Sequence, residues 1–265
     1  MALHGVGASI GDTIAPLCVG ALLLAVSWQT LMKFHLLPAL VLAFILWRSL
    51  GSFYQESRPG PGPGLKSYLS GIKDMLKERN ILAIMVTGVF MSMGRLSVLT
   101  FLPLYLTEDL QYTSLGLGFY LMLLYLMGMV SQPVMGVVSD RFSRKVVLLP
   151  AYATLGLLYL FLPATTNGIQ LGLVIGAMGL FFYGTGNIAT AAVMDLSASE
   201  VQGSTMSVMS VFRHVFTLPS PIIAGVIATE FGTEAAFLYA GVLLLLGAVV
   251  IFTIKLPPKP APAGD

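Results

Sequence analysis

Charged residues are scarce in this sequence, and cysteine and histidine are scarcer still. Only 10% of its 265 residues are Asp, Glu, Lys or Arg, whereas about a quarter of a soluble domain is charged. The lone cysteine, Cys18, excludes an internal disulfide framework and any cysteine-based metal cluster. The histidines His4, His35 and His214 lie far apart, without metal-ligand spacing. The sequence therefore predicts neither a metal site nor a cofactor.

Two further absences narrow the class of protein. The basic residues lie in short polar segments and form no stripe interleaved with aromatic residues, so we expect no nucleic-acid partner. Met1 leads straight into apolar sequence, without the basic segment that opens a signal peptide. Such a start is typical of an internal position, so we expect this chain to be a fragment of a longer protein.

Long apolar runs are abundant. Hydrophobic residues make up 56% of the chain and the mean hydropathy is +0.87, which predicts an integral membrane protein. A helix needs roughly 20 apolar residues to cross the core of a bilayer. The apolar runs predict an all-α protein with eight transmembrane helices at 4–26, 33–50, 81–106, 114–138, 146–163, 169–193, 203–226 and 234–254.

The basic residues predict how these helices are oriented. An even number of helices places both termini on one side of the membrane. That side carries Arg48, Arg141, Lys255 and most other basic loop residues, whereas the opposite side carries only Lys33. Because basic loop residues favour the cytoplasm, we expect cytoplasmic termini and a multi-pass protein of the cell (inner) membrane.

One polar interval divides the chain. Residues 51–80 contain a proline- and glycine-rich run at 58–64, which cannot be helical, followed by apolar residues at helical spacing. We predict a cytoplasmic loop that contains a short amphipathic helix on the membrane surface. The interval separates two helices in 1–50 from a six-helix bundle in 81–256, and the proline-rich tail 257–265 is predicted to be disordered.

A short charged segment lies between the fourth and fifth apolar runs. Residues 136–145 place Asp140 and three basic residues between two membrane-length segments. An acid that precedes a helix can cap its free N–H groups and face the positive end of its dipole, so we expect Asp140 to cap the fifth helix. The basic residues should hold this loop at the cytoplasmic surface.

The first apolar run combines small residues, an acid and a proline. Gly7, Gly11 and Ala15 recur every four residues, a spacing that allows close helix contact. Pro16 removes a backbone hydrogen bond and should bend the helix. Asp12 lies inside the run, about one turn before the proline.

The charged segment resembles the signature loop of the major facilitator superfamily. Val138 replaces the usual leucine, and Ser143 replaces the second glycine. The first helix is similar to the antiporter motif of exporters in the same superfamily. Ala15-Pro16 stands where Gly-Pro is usual, and of the two glycines that close the motif only Gly20 is present. The positions of the loop that match are Gly136, Asp140, Arg141, Arg144 and Lys145.

This resemblance implies a fold, a function and a missing part. The superfamily has twelve helices in two halves joined by a long cytoplasmic loop, so 51–80 resembles that loop and the chain resembles helices five to twelve. The implied function is a secondary carrier in the lipid bilayer that exports a small-molecule substrate by alternating access, with a proton as coupling ion. The missing N-terminal helices, or a partner subunit, would be needed to close its cavity. The loop residues would act as a gating latch, or would only fix the topology.

Charged residues inside membrane helices are the candidate site residues, because they normally face a cavity or a partner. Arg95 could bind an anionic substrate group bidentately, or could be a structural partner for a buried carboxylate or helix-end carbonyls. Asp12 could carry a proton, or could pack between helices or pair with an arginine.

The seventh apolar run holds a second, adjacent pair of basic residues. Arg213 could pair with Asp195 or Glu200 near the cytoplasmic end. His214 is a second candidate for proton coupling, because imidazole changes its charge near neutral pH, and the alternative is a hydrogen-bonded packing residue. Aromatic residues such as Tyr183 could line a cavity or simply pack against lipid.

Two other classes of function remain as alternatives to transport. A non-transporting membrane partner or regulator would use exposed small-residue helix faces for assembly. An intramembrane enzyme would need a nucleophile–base pair or a metal set at membrane depth. The sequence contains no His-x-x-Glu-His, Gly-x-Ser-x-Gly or paired acid motif, so we predict no catalytic residues and no enzyme.

Overall fold

The computed structural model describes most of the apolar part of the chain. The polar interval, except for its last residues, and the tail lie outside the described residues, so the loop, its amphipathic helix and the disordered tail stay predictions. Of residues 2–8, 50 and 202–204 only the backbone is described. The described residues are 2–50, 73, 77–165, 168–196 and 202–254.

The described residues form helices and no strand. Seven spans are long and apolar enough to cross a membrane, and Ser9–Leu22 is a shorter apolar helical stretch. The prediction of an all-α membrane protein is confirmed. The helices are α1 (Ala2–Leu22), α2 (Trp28–Leu50), α3 (Arg79–Leu104, continued by a π-helical turn at Tyr105–Asp109), α4 (Ser114–Arg141), α5 (Arg144–Phe161), α6 (Gly168–Phe182), α7 (Gly184–Leu196), α8 (Gln202–Thr217), α9 (Ser220–Phe231) and α10 (Glu234–Thr253).

Two of the predicted membrane helices are each interrupted once. The run at 169–193 is divided into α6 and α7 at Tyr183, where glycine, a weak helix former, follows at Gly184. The run at 203–226 is divided into α8 and α9 at Pro219, which supplies no N–H to the helical ladder. Each run remains one stretch long enough to span a membrane, and the break inside it is a feature that hydropathy does not detect.

In the bundle that follows the polar interval, α10 packs against both α3 and α5 and also contacts α9. Glycines let the backbones approach closely. A Cβ atom at Gly241 would lie 2.9 Å from the carbonyl oxygen of Gly156, and one at Gly94 would lie 3.2 Å from that of Ala240. Close approach increases van der Waals contact, which holds helices together in lipid because no hydrophobic force acts between them there.

Helix α1 packs along α4 and so joins the N-terminal helices to this bundle. A Cβ atom at Gly20 would overlap the carbonyl oxygen of Ser114, and one at Gly118 would overlap that of Pro16. The helix continues through Pro16 without interruption, and the bend expected there stays a prediction. Two glycines therefore fix how closely α1 and α4 approach.

Helix α2 contrasts with α1 because its apolar side chains point away from the rest of the described chain. Leu31, near its start, is buried, whereas Phe34 and the apolar residues from Leu40 to Trp47 are exposed. Such a surface is covered in a membrane by lipid or by further helices.

The α1–α4 contact predicts different effects of the same substitution at two positions of α1. Gly20→Ala should lower the free energy of unfolding by about 1–3 kcal/mol, because the added methyl group overlaps the backbone of α4. Gly11→Ala is the matched control, since its methyl group would meet nothing within 4 Å. Thermal unfolding of the purified variants in detergent measures both, and an equal response would contradict the close contact.

Candidate functional site

A cavity of 140 Å³ lies among α3, α7 and α8, with Tyr152 of α5 and Phe182 of α6 in its wall. Methionines and small residues form much of its apolar lining. No carboxylate is found among the described residues that line it, so the cavity has a net positive charge. Besides Tyr152, its polar lining consists of two arginines and four serine or threonine residues: Arg95, Arg213, Ser92, Ser210, Thr185 and Thr190.

Arg95 reaches the cavity from the middle of α3, on the same face as Ser92 one turn earlier. Its guanidinium carbon lies 4.7 Å from the ring centroid of Phe182 and 4.9 Å from that of Tyr183. These cation–π contacts hold the side chain without neutralising its charge. Within the described part of the chain, no carboxylate lies within ion-pair distance of Arg95.

Arg213 lines the same cavity from α8, where Ser210 lies one turn earlier on the same face. The expected pair with Asp195 is not formed, because the Asp195 carboxylate accepts a hydrogen bond from Arg144 Nε at 2.9 Å. The other expected partner, Glu200, lies outside the described residues. The structure thus brings Arg95 and Arg213 to one cavity, a grouping that the sequence did not predict.

Tyr183 connects α1 to this site. Its hydroxyl group donates a hydrogen bond to Asp12 Oδ2 at 3.0 Å, and its ring contacts the Arg95 guanidinium. Asp12 is exposed and lies outside the cavity lining. We did not predict this contact, and the only signal in the sequence was an aromatic pair, Phe182-Tyr183, beside a glycine.

His214 is exposed and does not line the cavity. Its Nδ1 atom lies 2.6 Å from the carbonyl oxygen of Ser210, one turn earlier on α8. This hydrogen bond corresponds to the alternative of a packing residue, and a role in proton coupling stays a prediction.

The charged hinge at 136–145 differs from expectation in its cap. Helix α4 extends to Arg141, so Asp140 lies in its last turn and does not cap α5. Ser143 is the N-cap instead, and its hydroxyl group accepts a hydrogen bond from the backbone N–H of Val146 at 3.2 Å. The prediction that Asp140 caps the fifth helix was wrong, because hydropathy ends the fourth helix three residues too early.

Arg144 is the centre of a charge network in this hinge. Its guanidinium group forms ion pairs with Asp140 on α4 and with Asp195 at the end of α7. It also donates a hydrogen bond to Ser139 Oγ at 3.0 Å. The network therefore connects three helices at one end of the bundle.

The other hinge residues act separately. Lys145 Nζ donates hydrogen bonds to the carbonyl oxygens of Phe252 and Ile254, each at 2.7 Å, and so holds the end of α10. Arg141 is exposed, and its guanidinium carbon lies 5.8 Å from the ring centroid of Phe142. A Cβ atom at Gly136 would meet nothing within 4 Å, so packing in this conformation does not require glycine there.

Fold and site together define a multi-pass membrane protein whose helices surround a charged cavity. The family model described as Major Facilitator Superfamily matches residues 1–218 and 133–265. The chain belongs to this superfamily, which confirms the family that the hinge indicated.

Its curated relatives are transporters by name. The Hexuronate transporter of Bacillus subtilis (strain 168) is 25% identical over 97% of this chain and 65% of its own length. The Probable galactarate/D-glucarate transporter GarP of Escherichia coli (strain K12) is 24% identical over 73% and 46%. The Multidrug efflux pump Tap of Mycolicibacterium fortuitum is 32% identical over 69% and 43%. The chain thus spans between 43% and 65% of the length of these relatives, and family and names indicate a transporter rather than an enzyme.

The hinge network predicts a kinetic effect of neutralising Asp140. Asp140→Asn removes one of the two carboxylates that hold Arg144, so it should slow substrate turnover more than it weakens substrate binding. Asp195→Asn should act in the same direction, because it removes the other carboxylate. Turnover is measured by transport in proteoliposomes and binding by titration of the purified protein.

Asp109→Asn is the control for this pair, since it neutralises an exposed acid far from the hinge in sequence. If neither Asp140→Asn nor Asp195→Asn changes the turnover rate, the hinge residues do not act as a gating latch. Their remaining role would be to fix the topology.

Proposed function

We propose that this chain forms the solute-binding part of a secondary carrier for a small organic anion, and that Arg95 binds the anionic group. The observation that carries the proposal is an arginine inside a membrane-spanning helix that faces a cavity and has no carboxylate partner among the described residues. A charge at membrane depth is unfavourable without a partner, so a bound anion would stabilise it.

The contacts of Arg95 favour a ligand over a purely structural role. The rings of Phe182 and Tyr183 restrict the guanidinium group but leave its N–H donors available. Those donors can form two parallel hydrogen bonds with one carboxylate. We therefore expect the ligand to bind with a carboxylate directed toward the break between α6 and α7.

The hydroxyl residues of the cavity favour a polyhydroxylated solute. Ser92 and Ser210 make no side-chain hydrogen bond with described residues, so both hydroxyl groups can bind a ligand. The cavity volume of 140 Å³ is below the roughly 300–1,000 Å³ of pockets that hold drug-sized molecules. The names of two relatives, the hexuronate and galactarate/D-glucarate transporters, also denote hydroxylated acids.

Export of a hydrophobic solute is the second candidate function. It is supported by the similarity of α1 to an antiporter motif and by the relative named as a multidrug efflux pump. A comparison of binding of D-glucuronate with binding of a lipophilic cation such as ethidium distinguishes the two candidates, because the positively charged cavity should repel the cation.

Substitution of Arg95 tests the proposal directly. Arg95→Gln should weaken binding of a hydroxylated monocarboxylate such as D-glucuronate at least about tenfold, because it removes the charge-assisted hydrogen bonds. Arg79→Gln is the matched control, since it neutralises an exposed arginine at the start of the same helix. The measurement is titration of the full-length protein, and unchanged binding by Arg95→Gln would contradict the site.

Proton coupling through Asp12 is a further part of the proposal. Asp12→Asn should abolish acid accumulation driven by an imposed pH gradient, while exchange of labelled for unlabelled acid continues, because exchange needs no net proton movement. Both are measured in proteoliposomes that contain the full-length protein. Gradient-driven accumulation at the wild-type rate would exclude Asp12 as the coupling residue.

A further inference from the structure

Arg213 is a second guanidinium group in the cavity for which the proposed function gives no role. It lies in the membrane-spanning stretch Thr205–Phe231 and lines the cavity from α8. Among the described residues it makes no ion pair, no side-chain hydrogen bond and no cation–π contact. Arg213 therefore lacks even the aromatic contacts that hold Arg95.

The acid that the sequence suggested as a partner for Arg213 already pairs with another arginine. This acid is Asp195, which pairs with Arg144 in the hinge. Among the described residues, the cavity lining contains both arginines and no acidic side chain. Two like charges in the wall of one cavity repel each other, and a single carboxylate neutralises only one of them.

We propose that Arg213 binds a second carboxylate, so that the cavity selects a polyhydroxylated acid with two carboxylates over the acid with one. This inference rests on the proposed function and adds its substrate class. Arg95 on α3 and Arg213 on α8 each bind one carboxylate of the same molecule. Hydroxyl groups of Ser92 and Ser210 lie one turn from the two arginines and bind the hydroxyl groups of the chain between the carboxylates.

The ligand series for the test changes the number of carboxylates on one open six-carbon chain. D-glucarate, D-gluconate and D-glucitol are all acyclic and carry two, one and no carboxylates. Wild-type full-length protein should bind the diacid at least about tenfold more tightly than the monoacid, and the neutral polyol more weakly still. Equal affinity for the two acids would overturn the inference without any variant.

Substitution of Arg213 then assigns the preference to one residue. Arg213→Gln should weaken diacid binding about tenfold or more and monoacid binding less than about threefold, so that the preference between them disappears. Arg213→Lys should keep part of the preference, because it keeps the charge. Arg79→Gln should leave both affinities unchanged, and melting temperatures with and without ligand show which variants are folded.

The outcomes separate this inference from the proposed function. The inference alone is overturned if Arg213→Gln weakens binding of both acids equally or keeps the full preference for the diacid. This holds provided that Arg95→Gln weakens binding of both acids. Wild-type protein that binds neither acid overturns the proposed function and the inference with it.

Discussion

A charge inside a membrane needs a partner, because the hydrocarbon core provides no water to solvate it. The structure meets this need for Arg95 with the faces of Phe182 and Tyr183, at 4.7 and 4.9 Å from the guanidinium carbon. An aromatic face attracts a cation but does not cancel its charge, so the side chain is ordered and still available to an anion. Phe182 is the last residue of α6, and Tyr183 lies at the break between α6 and α7.

Close helix contact is the second constraint, and glycine provides it at positions that matter for the site. Gly20 and Gly118 hold α1 against α4, and Asp12 lies two turns before Gly20 on α1. From there it accepts the hydrogen bond of Tyr183. A larger residue at the contact would separate α1 from α4 and so break the hydrogen bond between Tyr183 and Asp12. Packing between helices thus determines which polar groups can meet inside the membrane.

The hinge at 136–145 pairs its central arginine with carboxylates, whereas the two arginines of the cavity have no carboxylate partner among the described residues. Arg144 is held by Asp140 and Asp195, on two different helices, and is mostly buried, whereas both acids are exposed. An ion pair at the membrane surface contributes little to stability because water competes for both partners. Such an ion pair can instead specify a conformation. An arginine that pairs with carboxylates on two helices fixes the relative position of these helices until one ion pair breaks. We therefore propose a gating role for this network rather than a stabilising one.

The sequence alone determined the membrane class, the apolar segments that become helices and the superfamily, and it showed that Arg95 lies inside one of these segments. These properties follow from local composition, because a bilayer demands about 20 apolar residues per crossing and leaves few charges inside. Only the tertiary structure decided which side chains meet. The Tyr183–Asp12 and Arg144–Asp195 contacts join residues 171 and 51 positions apart, and no periodicity encodes such distances. The common cavity of Arg95 and Arg213 likewise depends on how α3 and α8 pack, and packing is a property of complementary surfaces that a linear pattern does not display.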